Sequence, residues 1–170
     1  MLSGFVRFRS TQYACLLIAA LSMGACARNN TVDPNAAAMG ANASAARPGS
    51  QQDFVVNVGD RVFFESDQTD LTPQAIVTLE KQAQWLQSYP RYSFTVEGHA
   101  DERGTREYNL ALGARRANAV KEFLVAQGVA AGRLETVSYG KERPICTESG
   151  EDCWSQNRRG VSVITGGAAS

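Results

Sequence analysis

The chain reads as a succession of contrasting patterns. An unbroken apolar run from Tyr13 to Leu21 comes first. From Ala27 to about Gln52 the residues are mostly Ala, Asn, Gly and Ser, with few large side chains. Beyond that point hydrophobic positions become periodic. Arg61-Val-Phe-Phe64 is a short β-branched and aromatic strand signal. Thr72-Pro73 supplies an N-cap and a first-turn proline, and Ile76, Leu79, Ala83 and Leu86 then recur at helical spacing as far as Pro90. Tyr92, Phe94 and Val96 alternate with polar residues, which predicts a strand ending at Gly98. A second helix is signalled from Thr105 or Arg106 to Gln127, with Leu112, Ala119, Val120, Phe123 and Leu124 on its apolar stripe and Gly128 as its stop. Glu135 to Tyr139 and Gly160 to Ile164 read as two further strands. The order βαβαββ predicts an α+β fold, a two-layer sandwich of two main helices on a mixed sheet.

The flanks of this pattern define the organisation. Arg7 and Arg9 precede the apolar run, and Gly24 and Ala25 follow it directly before Cys26, so residues 1–25 read as a secretory signal. The run is shorter than the roughly 20 apolar residues of a membrane span. A cysteine after small residues resembles a bacterial lipobox, which implies lipid on Cys26, and Ala27 in place of an aspartate implies sorting to the outer membrane. Residues 26–53 cannot bury enough surface to offset their ordering entropy and read as a flexible tether. Such a tether spans roughly 30 Å as a coil. Residues 54–166 suit one compact domain, and 167–170 form a tail.

Charge and cysteine content narrow the partners. There are 17 basic and 17 acidic residues, and loss of Arg7 and Arg9 with the leader leaves a balance that gives no reason to expect nucleic acid. The pairs Arg115-Arg116 and Arg158-Arg159 read as solvated surface by default. Cys15 leaves with the signal and Cys26 carries lipid, so Cys146 and Cys153 remain. An exported compartment favours a disulfide between them, which would pin the long 144–157 connection; a metal pair is the rival.

The candidate chemistry lies in Val96-Glu-Gly-His-Ala-Asp101-Glu-Arg-Gly-Thr-Arg-Glu-Tyr-Asn109 and Leu112-Gly-Ala-Arg-Arg116-Ala. Asp101 lies just past a strand end, where open sheets bind ligands. Asn109 and Arg116 are seven residues apart and share the helix face of Leu112, whereas Arg115 is rotated toward solvent. A half-buried arginine needs a counter-charge, and Asp101 is the nearest candidate. Two readings stay open: a structural Asp101–Arg116 ion pair, or two groups held for a ligand, the carboxylate taking an ammonium and the guanidinium a carboxylate. Glu97, His99 and Asp101 at alternate positions raise a metal or hydrolytic site, but a zinc set normally leans on several His or Cys. No Gly-x-Ser-x-Gly nucleophile is present.

Gly98-His-Ala-Asp-Glu-Arg-Gly-Thr105, Tyr108-Asn109, Leu112-Gly-x-Arg-Arg-Ala-x-Ala-Val120, Ser138-Tyr-Gly-Lys-Glu-Arg-Pro144 and Asn157-Arg-Arg159 occur in order. Through them the chain from Phe63 to Val163 resembles the outer-membrane protein A-like peptidoglycan-binding family, and its lipid-anchored members in particular. The resemblance implies that Asp101 and Arg116 bind the D-centre ammonium and carboxylate of meso-diaminopimelate. It also implies that Asp67 belongs to a loop touching the same ligand, with Asn109 beside them. Glu65-Ser66 departs from the commoner Asp-Phe of this loop, and the two-cysteine loop departs from enteric relatives. The implied protein is a non-catalytic tether without cofactor or metal, with peptidoglycan, TolB and other Tol proteins as partners and a role in outer-membrane constriction at division. A peptidoglycan hydrolase using Glu97 or Asp101 as base is the alternative from another class. A flagellar stator-type anchor, which would carry a true transmembrane helix, is a third.

Overall fold

The computed structural model describes residues 46–167; the signal segment, Cys26 and most of the tether and tail expectations lie outside the described residues. Four strands form one mixed sheet: β1 Arg61–Phe63, β2 Ser93–His99, β3 Leu134–Gly140 and β4 Arg159–Thr165, in the order β1-β4-β2-β3. β2 runs parallel to β3 and antiparallel to β4, and β1 is antiparallel to β4. Helix α1, Pro73–Ser88, begins where the side chain of Thr72 accepts from Ala75 N and Pro73 fills the first turn. Helix α2, Arg106–Ala126, is capped by Thr105 and closed by Gly128 at φ +94°, whose N–H returns to Val125 O. These are the predicted α+β sandwich and its two main helices.

The core lies between the sheet and these helices, with Leu79, Leu86, Phe94, Val96, Val120 and Leu124 at most 1% exposed. A close backbone approach fixes α2 against the sheet. A Cβ on Gly98 would stand 1.8 Å from the carbonyl oxygen of Gly113, so α2 lies directly on the end of β2, with only glycine between them. That approach places Asn109 to Arg116 over the turn that leaves β2.

Two segments depart from expectation. Residues 46–53, read as tether, pack on the domain: Gln51–Asp53 is a helical turn that widens into a π-helical turn, Phe54–Val58. Asp53 accepts from Gly49 N and Trp85 Nε1, the Tyr92 hydroxyl donates to Gly49 O, and the Phe54 ring lies 5.0 Å from Trp85 and 4.8 Å from Phe94. Side-chain-to-backbone bonds order this segment, and hydrophobic periodicity does not register them. The 144–157 connection, read as a loop, contains a third helix α3, Glu151–Asn157. Cys146 and Cys153 are joined by a disulfide. Asn157 adds a second tie, accepting from the amides of Ile145 and Cys146 and donating to Cys146 O.

Candidate functional site

A pocket of about 300 Å³ opens between the loop after β1 and the turn after β2, lined by Ser66, Asp67, Asp101, Arg103, Gly104, Tyr108, Asn109 and Leu112. A larger groove of about 790 Å³, lined by Phe63, Phe64, Pro73 and Gln156 among others, lies across the same loop and holds none of the predicted site residues. Asp101, Asp67 and Asn109 thus meet in the smaller pocket. Arg116 does not line it.

Asp101 is 7% exposed and held by arginines. Arg103 donates its backbone N–H and Nε–H to Oδ1, both at 3.1 Å, and its Nη2 to Oδ2 at 2.6 Å. Arg158 Nη1 adds a contact to Oδ2 at 3.5 Å. Burial alone would raise the Asp101 pKa, but the hydrogen bonds and charge of Arg103, with help from Arg158, hold it below the usual carboxylate range.

Arg116 is fully buried beneath the pocket. Its Nε donates to Gln68 O at 2.9 Å, Nη1 to His99 O at 2.9 Å and Nη2 to Glu65 O at 3.0 Å, while Phe64 lies 5.2 Å away as a π face. Burial pushes its pKa down to about 10, with the charges of Asp101 and Asp67 opposing and Arg158 adding to the fall. It therefore remains a cation at neutral pH. The counter-charge expected from Asp101 is replaced by a ring of carbonyls, because the loop 65–68 turns its backbone oxygens inward over α2. No direct Asp101–Arg116 ion pair forms. Arg115 is exposed, as its rotation on the helix predicted.

The same loop carries Asp67 at φ +58°, a left-handed conformation that Asp tolerates better than most residues. Tyr108 donates to its carboxylate, and Arg103 Nη2 donates to Ser66 Oγ at 2.9 Å. Asn109 Nδ2 donates to Arg103 O at 2.7 Å, fixing the turn from the helix side. Lys141 Nζ braces it again at the carbonyls of Glu102 and Gly104.

Sequence reasoning missed two members of this site. Arg103 stands two residues after Asp101 in a turn, a spacing at which a side chain can return to a carboxylate, and that signal was available. Arg158 is 57 positions away and offers none. The expectation that Arg158-Arg159 is solvated surface is corrected: they are 3% and 5% exposed. Arg158 donates to Phe64 O and Asp101 and pairs with Glu151; Arg159 donates to Asn157 O and Arg143 O. Glu97 and His99 approach each other, but among the described residues Asp101 does not join them in a metal-type cluster. His99 ends β2 at 1% exposure, with Nε2 3.5 Å from Glu97, its ring 5.6 Å from that of Tyr139 and neither ring nitrogen hydrogen-bonded.

Known proteins share both the sequence pattern and the fold. The OmpA family profile matches residues 63–158. The peptidoglycan-associated lipoprotein of Rhizobium meliloti (strain 1021) is 56% identical over 154 residues, covering 91% of this chain and 87% of the relative. That of Brucella melitensis biotype 1 is 55% identical over 153 residues, 90% and 91% of the two chains. Among solved structures, the peptidoglycan-associated lipoprotein from Burkholderia pseudomallei matches with TM-score 0.61 and 42% identity over 62% of this chain and 90% of that one. The C-terminal domain of Helicobacter pylori MotB matches with TM-score 0.60 and 25% identity, covering 64% and 86%.

Proposed function

This chain belongs to the OmpA family, and from that premise we propose that it is an outer-membrane lipoprotein that binds the meso-diaminopimelate stem of peptidoglycan noncovalently and so tethers the membrane to the wall. The observation that carries the reading is one pocket that holds Asp101, Asp67 and Asn109 directly above the buried cation of Arg116. Asp101 takes the ligand ammonium. Arg116 uses three of its five N–H groups on carbonyls, which leaves two for a ligand carboxylate that arrives through the 65–68 loop. Before any ligand arrives Arg103 and Arg158 hold the carboxylate, while three carbonyls hold the guanidinium with added help from the charge of Asp101.

The names of the relatives support peptidoglycan as the ligand and a lipoprotein as the form. Lipid on Cys26 then supplies the membrane end, and the residues between it and Ala46 the reach. In the same reading TolB competes for a surface overlapping the pocket, within a Tol system that draws in the outer membrane at division. Sedimentation of the protein with purified sacculi, with and without free meso-diaminopimelate, tests the core of the proposal. Competition by the free amino acid is expected. Sacculus binding indifferent to it would reject the ligand assignment, and release of soluble wall fragments would favour a hydrolase.

A further inference from the structure

Asp101 has no vacant acceptor position in this structure. A carboxylate offers about four lone-pair sites. Two on Oδ1 receive the backbone and Nε N–H of Arg103, and two on Oδ2 receive Arg103 Nη2 and Arg158 Nη1. The Asp101 side chain is 9% exposed whereas that of Arg103 is 41% exposed, so Arg103 lies between the carboxylate and solvent. A ligand cation entering the pocket meets this guanidinium first.

Arg103 also has a second support. Its guanidinium lies 4.3 Å from the centre of the Trp154 ring. That ring is itself fixed, because Trp154 Nε1 donates to Glu102 Oε1 at 2.9 Å and Ser149 Oγ donates to the same oxygen at 2.8 Å. Trp154 sits on α3, which the Cys146–Cys153 disulfide and Asn157 tie down. A guanidinium can stack on an aromatic face and pair in its own plane with a carboxylate at the same time. Leaving Asp101 therefore does not require Arg103 to leave the pocket rim.

We propose that Arg103 is a specificity-determining residue of the pocket: it occupies the ammonium position on Asp101, is displaced by the ligand ammonium, and then pairs, still carried on Trp154, with a carboxylate of the same ligand. The inference rests on the diaminopimelate reading above and deepens it. An amine without a nearby carboxylate exchanges one cation for another on Asp101 and strands Arg103, so it gains little. A zwitterionic centre satisfies both groups. Arg103 thus acts as an internal competitor that rejects simple amines.

The test uses the full-length chain in detergent and two probes, the tripeptide L-Ala-γ-D-Glu-meso-diaminopimelate and the same peptide with its D-centre carboxylate amidated. Calorimetric titration of the natural protein is expected to favour the acid about a hundredfold, the scale of two charge-assisted pairs, one to Arg116 and one to Arg103. Arg103→Ala is expected to bind the amide about threefold tighter than the natural protein does and to lower the acid-to-amide ratio about tenfold. An unchanged ratio, or an amide that binds no better, overturns the proposal. A second readout needs no folded variant: the acid should change Trp154 emission in the natural protein, while Trp85, buried in the core, stays silent. Absence of that change overturns the proposal as well. Asp101→Asn separates the two levels. If it binds the acid normally, the diaminopimelate site itself is wrong; if it fails to bind while Arg103→Ala keeps the ratio, only the role of Arg103 is lost.

Discussion

The buried ring of His99 is expected to make the domain acid-sensitive from a pH above the range in which carboxylates titrate. Its ring is 1% exposed, and burial, reinforced by the charges of Arg159 and Arg143, lowers its pKa to about 4. In the unfolded chain the ordinary value is about 6.5. As pH falls below 6.5 the unfolded state takes up a proton that the native state refuses until about pH 4, so stability falls with falling pH across that window. The limiting slope is about 1.4 kcal/mol per pH unit, and the whole interval amounts to about 3 kcal/mol. Glu97, whose Oε2 lies 3.5 Å from Nε2 of His99, would soften the effect. Urea denaturation at half-unit steps from pH 7.5 to 4.5 would show it as a falling midpoint, by roughly 0.5–1 M per unit for a domain of this size. Since neither ring nitrogen has a hydrogen-bond partner, His99→Phe should keep the fold at pH 7 and flatten the profile between pH 6.5 and 4.5. A natural protein whose midpoint is constant from pH 7 to 5 would refute the reasoning, as would a His99→Phe variant with the same slope.

Three further outcomes are expected. Cys26→Ser should abolish partitioning into a detergent phase, since among the described residues no helix is long and apolar enough to cross a membrane. Cys146→Ser should lower unfolding stability by about 2.5 kcal/mol or less, the chain-entropy limit for so short a loop, and Asn157 should keep the segment in place; thiol titration of the unreduced, unfolded natural protein should find neither of this pair free. Arg116→Ala should cost about 3 kcal/mol of stability by freeing three carbonyls and should also weaken sacculus binding per folded molecule, whereas Arg115→Ala should change stability by less than about 0.5 kcal/mol and leave binding intact. Equal binding losses at the two positions would indicate nonspecific electrostatics.

The main elements were legible because each carries a local signal that tertiary packing respects: Thr72-Pro73 starts α1, Gly128 ends α2, and Phe94 and Val96 alternate into the core. The packed segment 46–58 and α3 were not, for a shared reason. Asp53 and Asn157 act by bonding to backbone and indole groups up to 32 positions away, and no periodicity announces such bonds. The site divides in the same way. Helical spacing correctly put Arg116 on the inner face and Arg115 on the outer one, because rotation about a helix axis follows from residue number alone. What Arg116 meets there depends on how the 65–68 loop turns its carbonyls, and that loop takes its shape from Asp67 at positive φ and from donors on two other elements. The charge-pair argument assumed that a buried cation needs an anion. Three oriented carbonyl dipoles make the direct contacts, with Asp101 and Asp67 acting at a distance, and leave the Asp101 oxygens to Arg103, a residue already conspicuous in the motif but read only as part of a resemblance. In a site built from arginines, then, the informative question about each carboxylate is how many donors it already holds, since a carboxylate with all four acceptor positions filled can bind a ligand only by exchange.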